Sequence, residues 1–470
     1  MIGPSPDPRQ VLLPAGIADE PVAWAISVGV GLGLALLGVR ARGWPEAARG
    51  ALLCLGLTLA LTAPALGWID AVALGSFPTT DKEGSLLFYL DGVHRRLLFE
   101  PLGAAADPAA RLIGVHTGHL WVTEAFDLLL SPLGAMNAQG LLNAALGWGC
   151  MALLARSLGA SAGLALALGL PFGLGLHVMR DLNFYTIEKS AVFWLPLFSW
   201  AGLRAWRRGE RWRWLPALIY GVMSWMNLYL GLVGAALGAL AMLAEGGASL
   251  RARSLRPETR RLAVACGACA VPGVALALWQ HQVMSGGPAL ATPEQFLWQR
   301  AALDSLTLNP PRWNRLELGR ALNPVALTLA GLGLWRGRRT GLGRFFCLAG
   351  LTLAALSLGP VLWWRGPDPR AGIPNPIYLA AWHTVPGFWR VAKPEVFFEG
   401  TWMLALAGGA WGARDRPLWR WEGVVWPALV VAAWLALVRS HPAYPPFAAA
   451  QQGALDAGWT ERVFSAEQGD

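Results

Sequence analysis

The charges of this chain are sorted by side. Hydrophobic stretches long enough to cross a bilayer alternate with Arg-rich loops on one face and acid-rich loops on the other, the pattern of a polytopic membrane protein. A soluble core has no use for this much apolar sequence. Hydrophobic residues make up 55% of the chain, charged residues 14%, and the mean hydropathy is +0.42, against about 25% charged in an ordinary soluble domain. A net charge of +9 in a soluble domain points to nucleic acid. Here the Arg residues sit beside hydrophobic spans, and no basic stripe interleaved with aromatics occurs elsewhere, so nucleic acid is not an expected partner.

Apolar runs of about 15 to 22 residues, which allow for short or tilted spans, fall near 21–39, 51–69, 138–155, 161–179, 191–205, 214–227, 230–244, 262–279, 321–335, 345–364, 400–413 and 423–438. They predict an all-α bundle of about twelve spans. The continuous run from Trp214 to Leu243, about 30 residues, is too long for one ordinary span and has Arg-rich segments at both ends, so it must cross an even number of times. Asn227 and Tyr229 mark the expected hairpin.

Charge fixes the orientation. The loops at 40–50, 156–160, 204–213, 245–261, 336–344 and 414–422 hold 21 of the 38 Lys and Arg residues but 6 of the 29 acids, which puts them in the cytoplasm. The segments 70–137, 281–320 and 365–399 and both termini then face outward, with residues 1–440 forming the membrane domain and 441–470 a short outer tail. Trp44, Trp68, Trp206, Trp212, Trp214, Trp335, Trp363, Trp364 and Trp421 lie at span ends and read as interfacial anchors. The first twenty residues contain Pro4, Pro6, Asp7, Asp19 and Glu20 with Arg9 as the sole basic group, so no cleavable signal peptide is expected. Cys54, Cys150, Cys266, Cys269 and Cys347 all fall in apolar runs and read as packing residues. Gly31, Gly33 and Gly38, inside the first span, read as helix-packing positions and not as a phosphate loop.

The first outer segment carries two amphipathic stretches. Residues 84–98 place Leu86, Leu90, Val93 and Leu97 at helical spacing, with Asp91, His94 and Arg95 on the other face. His119 to Leu130 repeats the arrangement, pairing Leu120, Trp121 and Phe126 with Glu124 and Asp127. Two helices lying in the interface plane would form a roof over the membrane. His116 and His119 lack a third group at ligand spacing, so no metal site is read there.

Several of these residues carry a family resemblance. Pro78-Thr-Thr-Asp81 before an aromatic-aliphatic helix, Ser131-Pro-Leu-Gly with Leu142-Asn143, and Leu153-Leu-Ala-Arg156 closing a span resemble the N-terminal half of bacterial membrane proteins with the GT-C glycosyltransferase fold, including the YfhO-like group. The string from Val385 to Phe398, with Pro386-Gly-Phe388, Arg390 and Lys393-Pro394, is similar to a second element of that family. Lys393 stands where Arg is usual, and Glu395-Val396 where a basic or aromatic pair is usual.

The resemblance implies transfer of a sugar from a polyprenyl-phosphate donor to an envelope acceptor on the outer face of a bacterial inner membrane. Asp81 matches the acid of the first outer loop that serves as base, and the acceptor hydroxyl needs one, because its proton must leave as the anomeric carbon is attacked. The same Asp81 also suits a helix cap. Glu188 fits the acid of a further family element. Around it, His177, Arg180 and Asp181 crowd a short outer turn where ionisable groups are costly unless paired or used. Asp181 or Glu188 would orient the base, bind sugar hydroxyls or share a divalent cation. His94, Arg95, His177 and Arg180 are further candidates for substrate contact. Arg390 and Lys393, cationic on the outer side, suit the phosphate leaving group or lipid headgroups. Two other classes stay open: a catalytically silent envelope-assembly scaffold, suggested by this altered motif and by a chain that ends about 30 residues after its last expected span where several relatives carry a soluble outer domain, and a transporter or flippase, which would place ionisable groups mid-span instead of in outer loops.

Overall fold

A computed structural model describes residues 21–41, 43–62, 118–130, 132–175, 177–178, 182, 187–208, 212–253, 256–284, 324–338, 340–362, 372–385, 388, 394–413 and 422–440. Helices stand over all twelve apolar runs. They are α1 (Pro21–Arg40), α2 (Glu46–Leu61), α4 (Pro132–Ser157), α5 (Ala162–Gly173), α7 (Trp194–Arg208), α8 (Leu215–Met226), α9 (Leu228–Ala252), α10 (Pro257–Met284), α11 (Pro324–Gly337), α12 (Gly341–Ser357), α14 (Phe397–Gly412) and α15 (Glu422–Ser440). Between them lie α3 (Gly118–Asp127), a single turn α6 (Ile187–Ser190) and α13 (Pro376–Thr384). Among the described residues, two helical stretches, Gly134–Ser157 and Leu228–Gly247, are long and apolar enough to cross a bilayer, and others such as Ala25–Arg40 and Gly341–Ser357 are shorter. The helices establish the bundle; a count of twelve crossings does not follow from them.

Local sequence explains the breaks. Asn227 leaves helical geometry at φ −152° and accepts from the amides of Tyr229 and Leu230, so the long run does turn there, into α8 and α9. Ser161 caps α5 by accepting from Leu164 N, Thr340 caps α12 through Gly343 N, and Asn375 caps α13 ahead of Pro376, each quenching amides that a helix start leaves without partners. The run at 345–364 ends early, because Gly359 turns the chain at φ 70°. Val361–Leu362 (β1) then pairs antiparallel with Ile373–Pro374 (β2), a two-residue ribbon in a chain expected to be all helix. The second run is also displaced: Thr62 closes α2 where the hydropathy pattern carried the span to 69.

The helices meet through glycine. A side chain at Gly31 or Gly38 of α1 would press into the α2 backbone at Gly56 O and Arg49 O, whereas one at Gly33 meets nothing within 4 Å among the described residues. On α5, Gly169 and Gly173 lie against Trp148 of α4, and on α14, Gly408 and Gly412 lie against Gly333 of α11. Small residues four apart let backbones approach where hydrocarbon supplies no hydrophobic drive for association. The outward face of α1 stays apolar, with Val22, Ile26, Val30, Leu36 and Val39 exposed. That is the surface a lipid-facing helix presents.

The basic ends of the helices gather at one end of the bundle. Arg49 donates to Gly38 O, Arg156 to Ala160 O, Arg207 to Ser157 O and Arg336 to Gly412 O. Each guanidinium thus serves carbonyls at a helix C-terminus, where cations are favoured. Arg213 and Arg338 lie over Trp214 and Trp335, two of the exposed anchors. The opposite end holds α3, the α5–α6 connection, the ribbon and α13. Residues 84–98, the first of the two expected surface helices, lie outside the described residues. The second is α3, which packs Trp121 against Trp225 and hydrogen-bonds Thr123 to Gln139 of α4, leaving Leu128 and Leu129 just beyond it exposed.

Candidate functional site

At the end of the bundle opposite these arginines, α5 runs into a segment that is gripped from three sides. Trp402 of α14 donates to Pro171 O and Trp434 of α15 to Leu174 O, at 3.2 and 2.8 Å. Asn143 of α4 donates to Ile187 O and to Ser190 Oγ of α6, at 3.2 and 3.0 Å. Phe172, Leu174, Val178, Leu182 and Ile187 are buried. These contacts hold Pro171, Leu174, Ile187 and Ser190 before any ionisable group is considered. Trp148, Trp402 and Trp434, all buried, donate their indole N–H groups to carbonyls of α5 and the residue following it.

His177 points into this gripped segment. Its Nε2 lies 3.3 Å from Oε2 of Glu399, and the two side chains are 4% and 9% exposed. The Phe172 ring sits 5.8 Å away from the imidazole. Gly175 makes room for it, since a Cβ there would come within 2.7 Å of Cε1 and 2.8 Å of Nδ1 of His177. Glu399 occupies the first turn of α14, where the helix N-terminus favours an acid. The approach to that turn is fixed by aromatic packing: Phe388 stacks on Phe397 at 5.9 Å and meets Tyr378 edge-on at 5.2 Å. Asn375 bridges α13 to the end of α12 by donating to Ala355 O and Gly359 O. Two ionisable groups taken out of water must find one another or carry a desolvation penalty of several kcal/mol per ion, by order-of-magnitude reasoning, so the pair ties the outer turn to the start of α14.

Tyr378 is a further buried polar group at this end. Its ring is fully enclosed, its hydroxyl has no hydrogen-bond partner among the described residues, and burial pushes its pKa up from the ordinary phenol value.

His177 is therefore the sequence-derived candidate that the structure seats, and it is seated against a residue the sequence reading passed over. Asp81, His94, Arg95, Arg180, Asp181, Arg390 and Lys393 lie outside the described residues. Glu188 falls on α6, with its side chain outside them. In sequence, Arg180, Asp181 and Glu188 follow directly on the His177 anchor, and Arg390 and Lys393 lie between the packed Phe388 and Pro394. Glu399 had been counted as the last residue of an outer loop. Its signal was available: a lone acid in Phe397-Phe398-Glu399-Gly400, on the edge of an apolar span, is costly unless it has a role. Among the described residues no three His, Cys, Asp or Glu side chains gather as metal ligands would.

No protein-family model and no curated protein matches this chain. Among solved structures, it is similar to the arabinofuranosyltransferase AftD from Mycobacteria, an enzyme of the GT-C fold. The likeness covers 88% of this chain and 27% of that one, at a TM-score of 0.49 and 14% identity. A mutant form of the same enzyme aligns over 84% of this chain and 28% of its own, at a TM-score of 0.44 and 14% identity. The chain spans about a quarter of that enzyme's length.

Proposed function

We propose that this chain is a membrane glycosyltransferase acting at the His177–Glu399 end of its bundle, on the outer face of a bacterial inner membrane, with about twelve spans, outward termini and a donor sugar carried on polyprenyl phosphate. The observation that carries this reading is the buried His177–Glu399 pair. It ties the stretch that carries Arg180, Asp181 and Glu188 in sequence, after α5, to the one that carries Arg390 and Lys393, before α14. Groups that serve one transition state must sit within a few side-chain lengths of each other, whereas caps and headgroup anchors have no such requirement.

In the proposed reaction, Asp81 takes the proton of the acceptor hydroxyl as its oxygen attacks the anomeric carbon. The bond from that carbon to the donor phosphate breaks, and polyprenyl phosphate departs with the electron pair. Arg390 and Lys393 neutralise the charge it gains. Asp181 and Glu188 orient the base, hold sugar hydroxyls or share a divalent cation, while His94, Arg95 and Arg180 contact the substrate. His177, held by Glu399, positions the outer turn.

The test uses the full chain in lipid nanodiscs with a panel of polyprenyl-phosphate sugars and a bacterial envelope glycan extract as acceptor, reading release of polyprenyl phosphate so that the acceptor need not be identified. The wild type releases it from at least one donor. Asp81→Asn abolishes release while melting at the wild-type temperature, because an isostere at a surface or cavity position changes little fold energy. Absence of release from every donor, or full activity of Asp81→Asn, would turn the assignment to the envelope-assembly scaffold.

A further inference from the structure

At the basic end, opposite the His177–Glu399 pair, α7, α9, α10 and α12 leave a cavity of about 140 Å³ that opens on one side. Gly202, Trp206, Ala241, Leu262 and Phe345 are among its walls, and Glu245 is the acid among them. The size is close to that of an engineered apolar cavity of about 150 Å³ that stays dry and admits benzene, so water is not its natural filling. An empty void leaves its walls without dispersion partners on one side. In a membrane protein the surrounding solvent that can supply those partners is hydrocarbon.

The rim supplies the other half of a lipid. Arg207 donates to Ser157 O, next to the wall residue Leu158, and the Arg261 guanidinium donates to Arg207 O at 3.4 Å. Glu245 does not oppose an anion, since its carboxylate faces Arg256 at 3.6 Å and accepts from Thr259 at 3.5 Å. Basic pockets between helices on the cytoplasmic side attract anionic headgroups.

The geometry points to a bound anionic phospholipid of the cytoplasmic leaflet, the end of one acyl chain in this cavity and its phosphate at Arg207 and Arg261. The site is separate from the proposed sugar-transfer end and does not depend on that reaction. It gives the basic face a function beyond setting orientation: a structural lipid that wedges α7 from α10 and α12.

Gly202 makes the test clean. A Cβ added there meets no atom within 4 Å, so Gly202→Leu projects into the cavity without touching backbone, and Gly202→Ala is a matched control. The full chain is purified in mild detergent and its retained lipid identified by mass spectrometry; a phospholipid with a photoactivatable acyl chain is then cross-linked in nanodiscs and the adducts mapped. The wild type and Gly202→Ala retain anionic phospholipid, with adducts within residues 199–206 and 262–269. Gly202→Leu loses both at an unchanged or raised melting temperature. Arg207→Gln with Arg261→Gln keeps a lipid but loses the anionic preference. Adducts that persist undiminished in Gly202→Leu, retained polyprenyl phosphate in place of phospholipid, or a wild type that retains no lipid each overturn the proposal.

Discussion

Replacing Glu399 by Ala removes the carboxylate that faces the buried His177 side chain. At 3.3 Å and an effective dielectric of about 20, a fully charged pair would attract by about 5 kcal/mol. Most of that offsets the desolvation of the two groups, so the pair's net worth is small, yet deletion of one partner costs about 3–5 kcal/mol because the other has no water to return to. Replacing both groups with apolar residues, His177→Phe with Glu399→Leu, should therefore cost less than the two single changes added together. A coupling of about 2–3 kcal/mol is expected for contacting residues. Equilibrium unfolding in mixed detergent micelles, run on the wild type, both single variants and the double, gives the cycle directly. Single changes that each cost under about 1 kcal/mol and add within about 0.5 kcal/mol would refute the argument that this contact holds the outer turn to α14.

Tyr378→Phe should stabilise the protein at neutral pH by about 1 kcal/mol, since it removes a buried hydroxyl that has no partner. Because the folded-state pKa is raised above the unfolded one, Tyr378 leaves stability intact below the unfolded value near 10 and lowers it as pH rises past that point, where the unfolded chain ionises first. A melting series from neutral to strongly alkaline pH should fall less steeply in Tyr378→Phe than in the wild type. Gly333→Leu would drive a side chain into the Gly408 carbonyl and Gly409 Cα, whereas Gly331→Leu meets nothing. The first should cost about 3 kcal/mol or prevent folding and the second almost nothing, as read from melting temperature and monodisperse yield. Arg338→Cys in a background with the five native cysteines replaced should react with an impermeant maleimide in inverted vesicles and not in intact spheroplasts; outside labelling would reverse the topology.

The sequence by itself determined where the helices are, because each apolar run is judged one segment at a time against the same solvent, the bilayer. It also located the break at Asn227, whose short polar side chain caps the helix it begins, and the surface helix at α3, whose two faces are written in ten consecutive residues. It singled out His177 by the cost of an ionisable group beside apolar spans. Only the tertiary structure decided what His177 meets. Its partner Glu399, the Trp434 donor to Leu174 O and the Gly333–Gly408 approach all join stretches far apart in the chain, and nothing in either stretch encodes the other. The hydropathy runs likewise could not mark the end of α12, where Gly359 and a two-residue ribbon, both apolar enough to pass for span, turn the chain. Nor could they show the cavity beside Gly202. A void is the difference between the volume several packed helices enclose and the volume their side chains fill, and no single helix carries that difference in its sequence.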